Sequence, residues 1–420
     1  MISERLLVFL RLRFLCHEKR KHGREGRALS KWEPWISLLP PLDQNASVLT
    51  YPEDLLNELQ ASPVLATVRE GRRRLTETHG RLLKIKGFRG RPPRGAFRKY
   101  LREEHVWGLL MIMSRSHQVR VQDGAGAWHD TSCLVPLADF FNTGGPSQLN
   151  VDCATNKEST HFECWSTRAI APGSELLVPY GGRETTMENS MLLTQYGFTI
   201  DPDGDSATVA ALEPELGSVE IPVLGGKRFE LLRSLNLASH GGGATMQAPV
   251  EIGVRPRLVL AYAAARVMTE DQLSHGSSGL LGWVVERGTL PDDATWVAMF
   301  DNGQPSAANS LDVAAREDLR ARILHEVDMM MTGRLNQYRT NAGADELLLA
   351  EIASKLKKAA LVRERGGTKS EEAELMARRD TVRVRLSEKR TLMAVKGRVM
   401  RELQEDAPSF SSTDGAHGEL

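Results

Sequence analysis

Two tyrosines, Tyr180 and Tyr196, each stand directly before a glycine in the segment from Leu134 to Phe198. The first ends the sequence GSELLVPYGG, a short β-prone run that leads into two glycines. Glycine lets the backbone approach a ligand closely, so we expect the phenol of Tyr180 to project from a rigid strand end into a site. The second ends a predicted helix at residues 187–196, before Gly197. The segment therefore predicts a site furnished with two hydroxyl groups.

Short segments with strand character surround the two tyrosines and must position them. They are residues 119–121, 149–151, 161–165 and 175–178, with glycine-rich loops expected over 123–130 and 143–148. Upstream, helical periodicity covers residues 103–116, Pro52 opens a short helix, and residues 30–40 are expected to form a packed turn with two tryptophans. The pattern predicts a small β-rich unit with a helical insert.

The C-terminal half has a different, wholly helical pattern. Helices are expected from Pro256 and over residues 311–335, 345–363 and 371–403, with Gly366–Gly367 separating the last two. The predicted fold class is therefore α+β. Its expected domains are residues 1–200 for the β-rich unit, 205–405 for the helical unit and 406–420 for an acidic, disordered tail.

The charge pattern argues against several classes of partner. The 54 basic and 54 acidic residues cancel, so no overall charge attracts nucleic acid or a membrane surface. A basic stretch at residues 69–102 is interpreted as a solvated insert and not as a nucleic-acid surface. No apolar run reaches the roughly 18 residues of a membrane span. The amphipathic residues 1–23 predict a surface helix, with an organelle transit peptide as the alternative, so cytoplasm, nucleus and plastid all stay open.

Four cysteines, at positions 16, 133, 153 and 164, are too few for a disulfide framework. Such sparse cysteine usage is typical of a reducing compartment. Cys153, His161 and Cys164 fit no strong metal-ligand spacing, so no metal is expected.

Three ordered motifs resemble the SET domain of the Rubisco large-subunit lysine methyltransferase class, which includes the actin-histidine methyltransferases. The motifs are P-x-A-D-x-x-N, G-x-E-x-x-x-x-Y and N-x-x-L-L-x-x-Y-G-F. Each is common alone, but the order and spacing of all three are specific. The matching residues are Pro136, Ala138, Asp139 and Asn142, then Gly173, Glu175 and Tyr180, then Asn189, Leu192, Leu193, Tyr196, Gly197 and Phe198.

The resemblance implies an S-adenosylmethionine site and a catalytic tyrosine. Tyr180 would orient the incoming lysine amine and stabilise the positively polarised methyl group through weak C–H···O contacts. Asp139 and Tyr196 would line the channel for the target side chain. The residues carried over for the cofactor are Arg115, Asn142, Thr143, Tyr180 and Tyr196.

The resemblance covers roughly residues 5–400, with two departures. Residues 336–349 and 383–392 are similar to signatures of the family's helical substrate-binding domain. Nothing before Ser30 resembles the strand pair whose G-x-G loop clamps the cofactor, which we interpret as an incomplete sequence, with loss of cofactor binding as the alternative. Thr143 stands where the family has histidine.

Together these features predict an S-adenosylmethionine-dependent protein-lysine methyltransferase that acts as a monomer on a protein substrate. Two alternatives stay open at this point. One is a histidine-directed methyltransferase, and the other is a non-catalytic SET-derived module that binds a partner protein through its helical domain.

Overall fold

The computed structural model describes residues 32–42, 47–82, 96–122, 126–181, 189–200, 263–264, 267–268, 313–363 and 369–405. Contacts divide the chain into two compact units. The first combines Met1–Ala210 with Ala344–Arg385, and the second combines Ala211–Gly343 with Leu386–Leu420. The predicted N-terminal helix, most of the helix from Pro256, the Gly366–Gly367 stop and the tail lie outside the described residues. The linear domain limits stay a prediction.

Helices α1 to α5 belong to the first unit. They are Glu33–Leu38, Glu53–Asn57, Pro63–Leu82, Ala96–Arg115 and Asn189–Tyr196. The prediction of a packed turn at residues 30–40 is wrong, because Glu33 and Pro34 open a short helix in which proline occupies the first turn. The helices predicted after Pro52, at 103–116 and at 187–196 are confirmed as α2, α4 and α5.

The core of the first unit has two buried clusters. One surrounds Leu56, Leu59 and Leu193, and it includes Val384 from a C-terminal helix. The other surrounds Trp107, whose indole nitrogen donates to the carbonyl of Pro40 at 2.7 Å. Helix α4 contributes to one of these clusters and α5 to the other. Packing in the buried core therefore fixes the position of both helices.

Two antiparallel strand pairs lie among the described residues of the first unit. Strand β1 (Ser116–Gln122) pairs with β2 (Trp128–Leu134), and β3 (Val151–Thr155) pairs with β4 (Phe162–Ser166). The strand predictions at 119–121 and 161–165 are confirmed. Residues 128–130 lie in β2 and not in a loop, and the predicted strand at 149–151 begins only at Val151. The segment 175–178 forms no named strand, although Leu177 bridges Asn142.

The basic stretch forms regular structure on both sides of its undescribed middle. Arg69 to Arg81 lie in α3, and Arg102 lies in α4. Within α3, the guanidinium of Arg73 pairs with Glu70 and Glu77. Such exposed i,i+3 and i,i+4 pairs support a solvated helix and contribute little each.

Three long helices occupy the C-terminal part. They are α6 (Val313–Leu335), α7 (Ala342–Arg363) and α8 (Lys369–Glu405), so the helices predicted there are confirmed. Helices α7 and α8 begin two to three residues earlier than predicted, whereas α6 is described only from Val313. In the second unit, α6 buries Leu319, Ile323 and Val327 at helical spacing. None of the described helices is both long enough and apolar enough to cross a membrane.

A polar cluster accompanies that apolar face. The phenol of Tyr338 donates to Glu388 at 2.5 Å. Lys389 donates to the hydroxyl of Thr340 at 2.9 Å and lies over the Tyr338 ring at 4.9 Å. Each buried charge in the cluster thus has a partner, as burial requires.

His105 on α4 is only 1% exposed, and neither ring nitrogen has a hydrogen-bond partner among the described residues. Its ring stacks on that of His79 at 5.6 Å. Burial, together with the nearby His79, lowers the pKa of His105 from 6.5 to about 4. The folded protein therefore holds this imidazole neutral under conditions in which the unfolded chain would protonate it.

We expect this histidine to make the first unit acid-labile. Between pH 6.5 and about 4 the unfolded chain binds the extra proton, so the free energy of unfolding falls as the pH falls. The loss approaches about 3 kcal/mol at the low end. Urea unfolding at several pH values checks this, with His105→Met as the control. The variant should be at least as stable as the parent at pH 7 and lose less stability on acidification; equal losses in both proteins would contradict the assignment.

Candidate active site

A cavity of about 820 Å³ opens in the first unit, where the two strand pairs meet the ends of α4 and α5. Its wall includes four of the six site residues predicted from the sequence. They are Arg115, Asp139, Tyr180 and Tyr196. This volume lies in the range of small-molecule and cofactor pockets, so the predicted residues share a cavity that a cofactor could enter.

Tyr180 and Tyr196 meet in this cavity as a stacked pair. Their ring centroids are 4.3 Å apart with an interplanar angle of 28°, and Phe198 contacts both rings. Each tyrosine is followed by a glycine with positive φ, 93° at Gly181 and 84° at Gly197. That left-handed conformation suits glycine, which explains the repeated Tyr-Gly pairs in the sequence.

The hydroxyl groups of the two tyrosines have different partners. The phenol of Tyr180 donates to the carbonyl of Phe141 at 2.9 Å. The oxygen of Tyr196 accepts from the side-chain amide of Gln195 at 3.3 Å, and that amide also donates to the carbonyl of Met113. The Tyr180 oxygen therefore keeps its lone pairs as acceptors, since its own proton is engaged by the backbone.

Both phenols are held in the neutral form. Burial raises the pKa of Tyr180, with Asp139 and Glu175 acting in the same direction and Arg115 opposing them. Burial and the neighbouring Tyr180 raise the pKa of Tyr196 to about 12. At neutral pH the pair offers hydroxyl groups and no negative charge.

Asp139 is the buried acid of the site, with a side chain 0% exposed. The indole of Trp35 donates to both carboxylate oxygens, at 3.1 and 3.3 Å, and Arg115 lies 3.7 Å away. Burial raises the pKa of Asp139, while Trp35 and Arg115 act against that rise. Leu137, two residues before Asp139, has φ of 76°, which non-glycine residues rarely adopt, so the turn that presents Asp139 stores strain.

Arg115 ends α4 at the rim of the cavity. One guanidinium nitrogen donates to the carbonyl of Asp139 at 2.7 Å, and the group lies 6.0 Å above the ring of Phe140. Its Nε atom is buried and has no hydrogen-bond partner among the described residues. A buried donor without an acceptor is costly, so this atom suits an acceptor from outside the chain.

Asn142 and Thr143 are not among the residues that line the cavity. The side chain of Asn142 donates to Glu175 at 2.6 Å, and its carbonyl accepts from the amide of Val178 at 2.8 Å. Asn142 thereby fixes the segment that leads to Tyr180, and it directly follows the Phe141 carbonyl that the phenol binds. Their predicted role in cofactor binding stays a prediction.

The side chains that sequence reasoning missed in the cavity wall include His117 on β1, and Phe162 and Trp165 on β4. The rings of His117 and Phe162 are 5.1 Å apart. Burial lowers the pKa of His117, whereas Asp139 opposes that shift. His117 could have been selected from the sequence, because it lies two residues after Arg115, a predicted site residue. Phe162 and Trp165 could not, because their place in the wall depends on how the strand pairs lie against each other.

Cys153 and Cys164 form a disulfide between directly opposed positions of β3 and β4. One disulfide is not a framework, yet the low cysteine count gave no indication of this pair. The expectation of a reducing compartment loses its support here, since the bond requires an oxidant.

Sequence comparison finds relatives at modest identity. The chain is 23% identical over 255 residues to actin-histidine N-methyltransferase of Canis lupus familiaris, covering 58% of this chain and 38% of the relative. It is 25% identical over 265 residues to the Drosophila melanogaster protein of the same name, covering 60% and 46%. The chain thus spans less than half the length of these curated relatives. No family model matches it.

Solved structures share the fold over most of the chain. The SET domain of LSMT bound to lysine and AdoHcy superposes with a TM-score of 0.55 at 16% identity, covering 94% of this chain and 75% of the other. Rubisco LSMT bound to AdoMet gives 0.52 at 16% identity, covering 94% and 74%. The fold is that of a SET domain. The resemblance to the Rubisco LSMT and actin-histidine methyltransferase class is confirmed, as is the α+β fold class.

Proposed function

We propose that this protein is an S-adenosylmethionine-dependent methyltransferase that modifies a side-chain nitrogen of a protein substrate. The stacked pair of Tyr180 and Tyr196, placed in one cavity with Arg115 and Asp139, carries this proposal. The SET-domain structures that share the fold hold AdoMet or AdoHcy, which supports the same cofactor here.

The described residues fit such a cofactor. S-adenosylmethionine, when bound, supplies a methyl group on a positively charged sulfonium. Arg115 offers a buried Nε–H that has no acceptor among the described residues, which suits the cofactor's carboxylate. The phenols of Tyr180 and Tyr196 are neutral and polarisable, so they can lie beside a sulfonium without the cost of burying another cation. The cavity of about 820 Å³ has room for the cofactor and a target side chain.

Tyr180 has the chemistry for the transfer step. Because its proton is donated to the Phe141 carbonyl, its oxygen can accept a C–H···O contact from the moving methyl group, or a hydrogen bond from an N–H of a target lysine amine. The stacked ring of Tyr196 holds the phenol in place, which makes positioning the main catalytic device. The raised pKa of Tyr180 keeps its phenol protonated at neutral pH, so the phenol does not act as a base.

Two target nitrogens are compatible with this cavity. Histidine is favoured by the names of the methyltransferases similar to this chain, and a neutral imidazole, with a reference pKa near 6.5, needs no deprotonation before attack. Lysine, the target predicted from the sequence, is supported by the neighbour solved with lysine. Its amine, with a reference pKa near 10.4, must first lose a proton, which desolvation in the cavity would favour.

The proposal is tested in two steps with the purified 420-residue chain. Calorimetry with S-adenosylhomocysteine should show saturable binding at one site. Incubation with tritiated S-adenosylmethionine and purified actin should then label actin, and hydrolysis should yield methylhistidine; methyllysine would identify the second candidate instead. Absence of cofactor binding both in this chain and in a form extended at its N-terminus would reject the enzyme and leave the non-catalytic binding module as the account of the fold; binding by the extended form alone would show that this chain lacks part of the cofactor site.

Replacing Arg115 by methionine should weaken S-adenosylhomocysteine binding. A hydrogen bond to a charged group contributes about 1.5–3 kcal/mol. That energy corresponds to roughly a 10- to 100-fold loss of affinity, measurable by calorimetry. Arg120→Met on β1 is the matched control, because Arg120 is exposed and does not line the cavity. Equal affinities in the two variants would remove Arg115 from the cofactor site.

A further inference from the structure

The Cys153–Cys164 disulfide lies in the wall of the candidate active site. Cys153 is half-buried and lines the cavity, while Cys164, directly opposite on β4, is exposed to solvent. The two cysteines are 11 residues apart in sequence, joined by the hairpin turn. One sulfur is thus accessible to a reductant, and the other faces the space that the substrate or cofactor would occupy.

Strand β4 depends on this bond more than β3 does. Its residues from Glu163 to Ser166 are all exposed, and within the part of the chain that the structure describes it pairs with β3 and with no other strand. Strand β3 has a further attachment, because the hydroxyl of Thr155 accepts from the amide of Arg120 on β1 at 3.1 Å. Two-stranded pairs of this length are marginal in water, so a covalent bond between them should matter for the order of β4.

The same strand supplies part of the cavity wall. Phe162 and Trp165 line the cavity, and the ring of Phe162 lies 5.1 Å from that of His117. Loosening β4 would therefore withdraw two large aromatic side chains from the wall. Arg115, Tyr180 and Tyr196 lie on other elements, so their arrangement does not depend directly on β4.

We propose that the Cys153–Cys164 pair is a reversible redox-modification site that fixes this wall, and that its reductant is a dithiol. The oxidised form holds β4 in place and is the more active one. The effect on methyl transfer rests on the proposed function, whereas the change in the order of β4 does not.

The exchange balances as a two-electron transfer. A thiolate of the dithiol attacks the exposed sulfur of Cys164, the Cys153–Cys164 bond breaks, and Cys153 leaves as a thiolate that takes up a proton. The second thiol of the reductant then attacks the mixed disulfide. The reductant leaves with its own disulfide closed, and Cys164 is released as a thiol.

Hydrogen exchange of the oxidised and dithiothreitol-reduced protein tests the structural part. Amides of residues 162–166 should exchange about 10-fold faster after reduction, while those of β1 change little. The double variant Cys153→Ser/Cys164→Ser should exchange rapidly under both conditions. Cys133→Ser should respond to reduction like the parent. Equal exchange in the oxidised and reduced parent, or free thiols at both positions in the oxidised protein, would overturn the proposal.

Methyl transfer to actin, measured in the same samples, tests the link to the cavity. Reduction should lower the rate about 3-fold or more in the parent and leave the double variant unchanged. Faster exchange with an unaltered rate would overturn that link. No transfer in either redox state would instead reject the proposed function, and the exchange result would stand on its own.

Discussion

Replacing Tyr180 by phenylalanine is expected to lower the rate of methyl transfer by about 100-fold or more, with S-adenosylhomocysteine affinity nearly unchanged. The substitution keeps the ring that stacks on Tyr196 at 4.3 Å, so the shape of the cavity should survive. It removes the oxygen that, with its proton bound to the Phe141 carbonyl, can accept contacts from the target nitrogen and the moving methyl group. Single-turnover kinetics and calorimetry measure the two quantities separately.

Tyr196→Phe is the matched control for this prediction. Among the described residues its hydroxyl accepts one hydrogen bond, a 3.3 Å contact from the neighbouring Gln195, so its removal should cost about 10-fold or less in rate. A loss of cofactor affinity equal to the loss of rate in Tyr180→Phe would show that Tyr180 binds and does not assist the transfer. A larger effect at Tyr196 would exchange the roles of the two tyrosines.

The largest effect on stability is expected from Arg385→Met. Arg385, in α8, is 1% exposed and donates twice to Asp345, at 2.8 and 3.1 Å, as well as to Glu58 at 2.7 Å. Asp345 is 0% exposed. Removing the guanidinium leaves that carboxylate buried without its cation, which should lower the free energy of unfolding by about 3–5 kcal/mol, as measured by urea titration.

Two further variants separate this buried network from ordinary surface charge. Arg378→Met removes a more exposed partner of Glu58, at 2.8 Å, and should cost less than about 1 kcal/mol. The double change Arg385→Met/Asp345→Leu should recover much of the stability that the single change loses, since it removes the stranded charge. A loss below about 1 kcal/mol in Arg385→Met itself would contradict the assignment.

Much of the fold could be predicted because the spacing of apolar residues and the positions of glycine and proline indicate the same helix boundaries along the chain. In α6 and α8 the apolar spacing is long and regular, so both helices were found within a few residues. Helix α5 was found because Gly197, with φ of 84°, ends it. Strand β2 was missed because its sequence, WHDTSCL, does not alternate between apolar and polar residues, and its burial does not alternate either: Trp128 to Asp130 are exposed, Thr131 is buried and the last three residues are half-buried.

The residues of the candidate site also fall into two groups: those marked by a local sequence motif and those brought together only by the fold. Tyr180 and Tyr196 could be selected from the sequence because each precedes a glycine in a recognisable motif. The disulfide and the placement of Phe162 beside His117 could not, since both depend on which residues of two hairpins stand opposite each other. The hydrogen bond from the Trp35 indole to Asp139 joins residues 104 positions apart in the sequence, and local sequence patterns cannot predict a contact at that separation.

Photolabelling with tritiated S-adenosylmethionine, followed by tryptic mapping, tests most directly whether one methyl-donor cavity unites these distant segments. We expect saturable label, displaced by S-adenosylhomocysteine, in the peptide of residues 169–183 that carries Tyr180 or in the next peptide, which carries Tyr196. Label that is absent, not displaceable, or confined to peptides without any residue of the cavity wall would contradict the account.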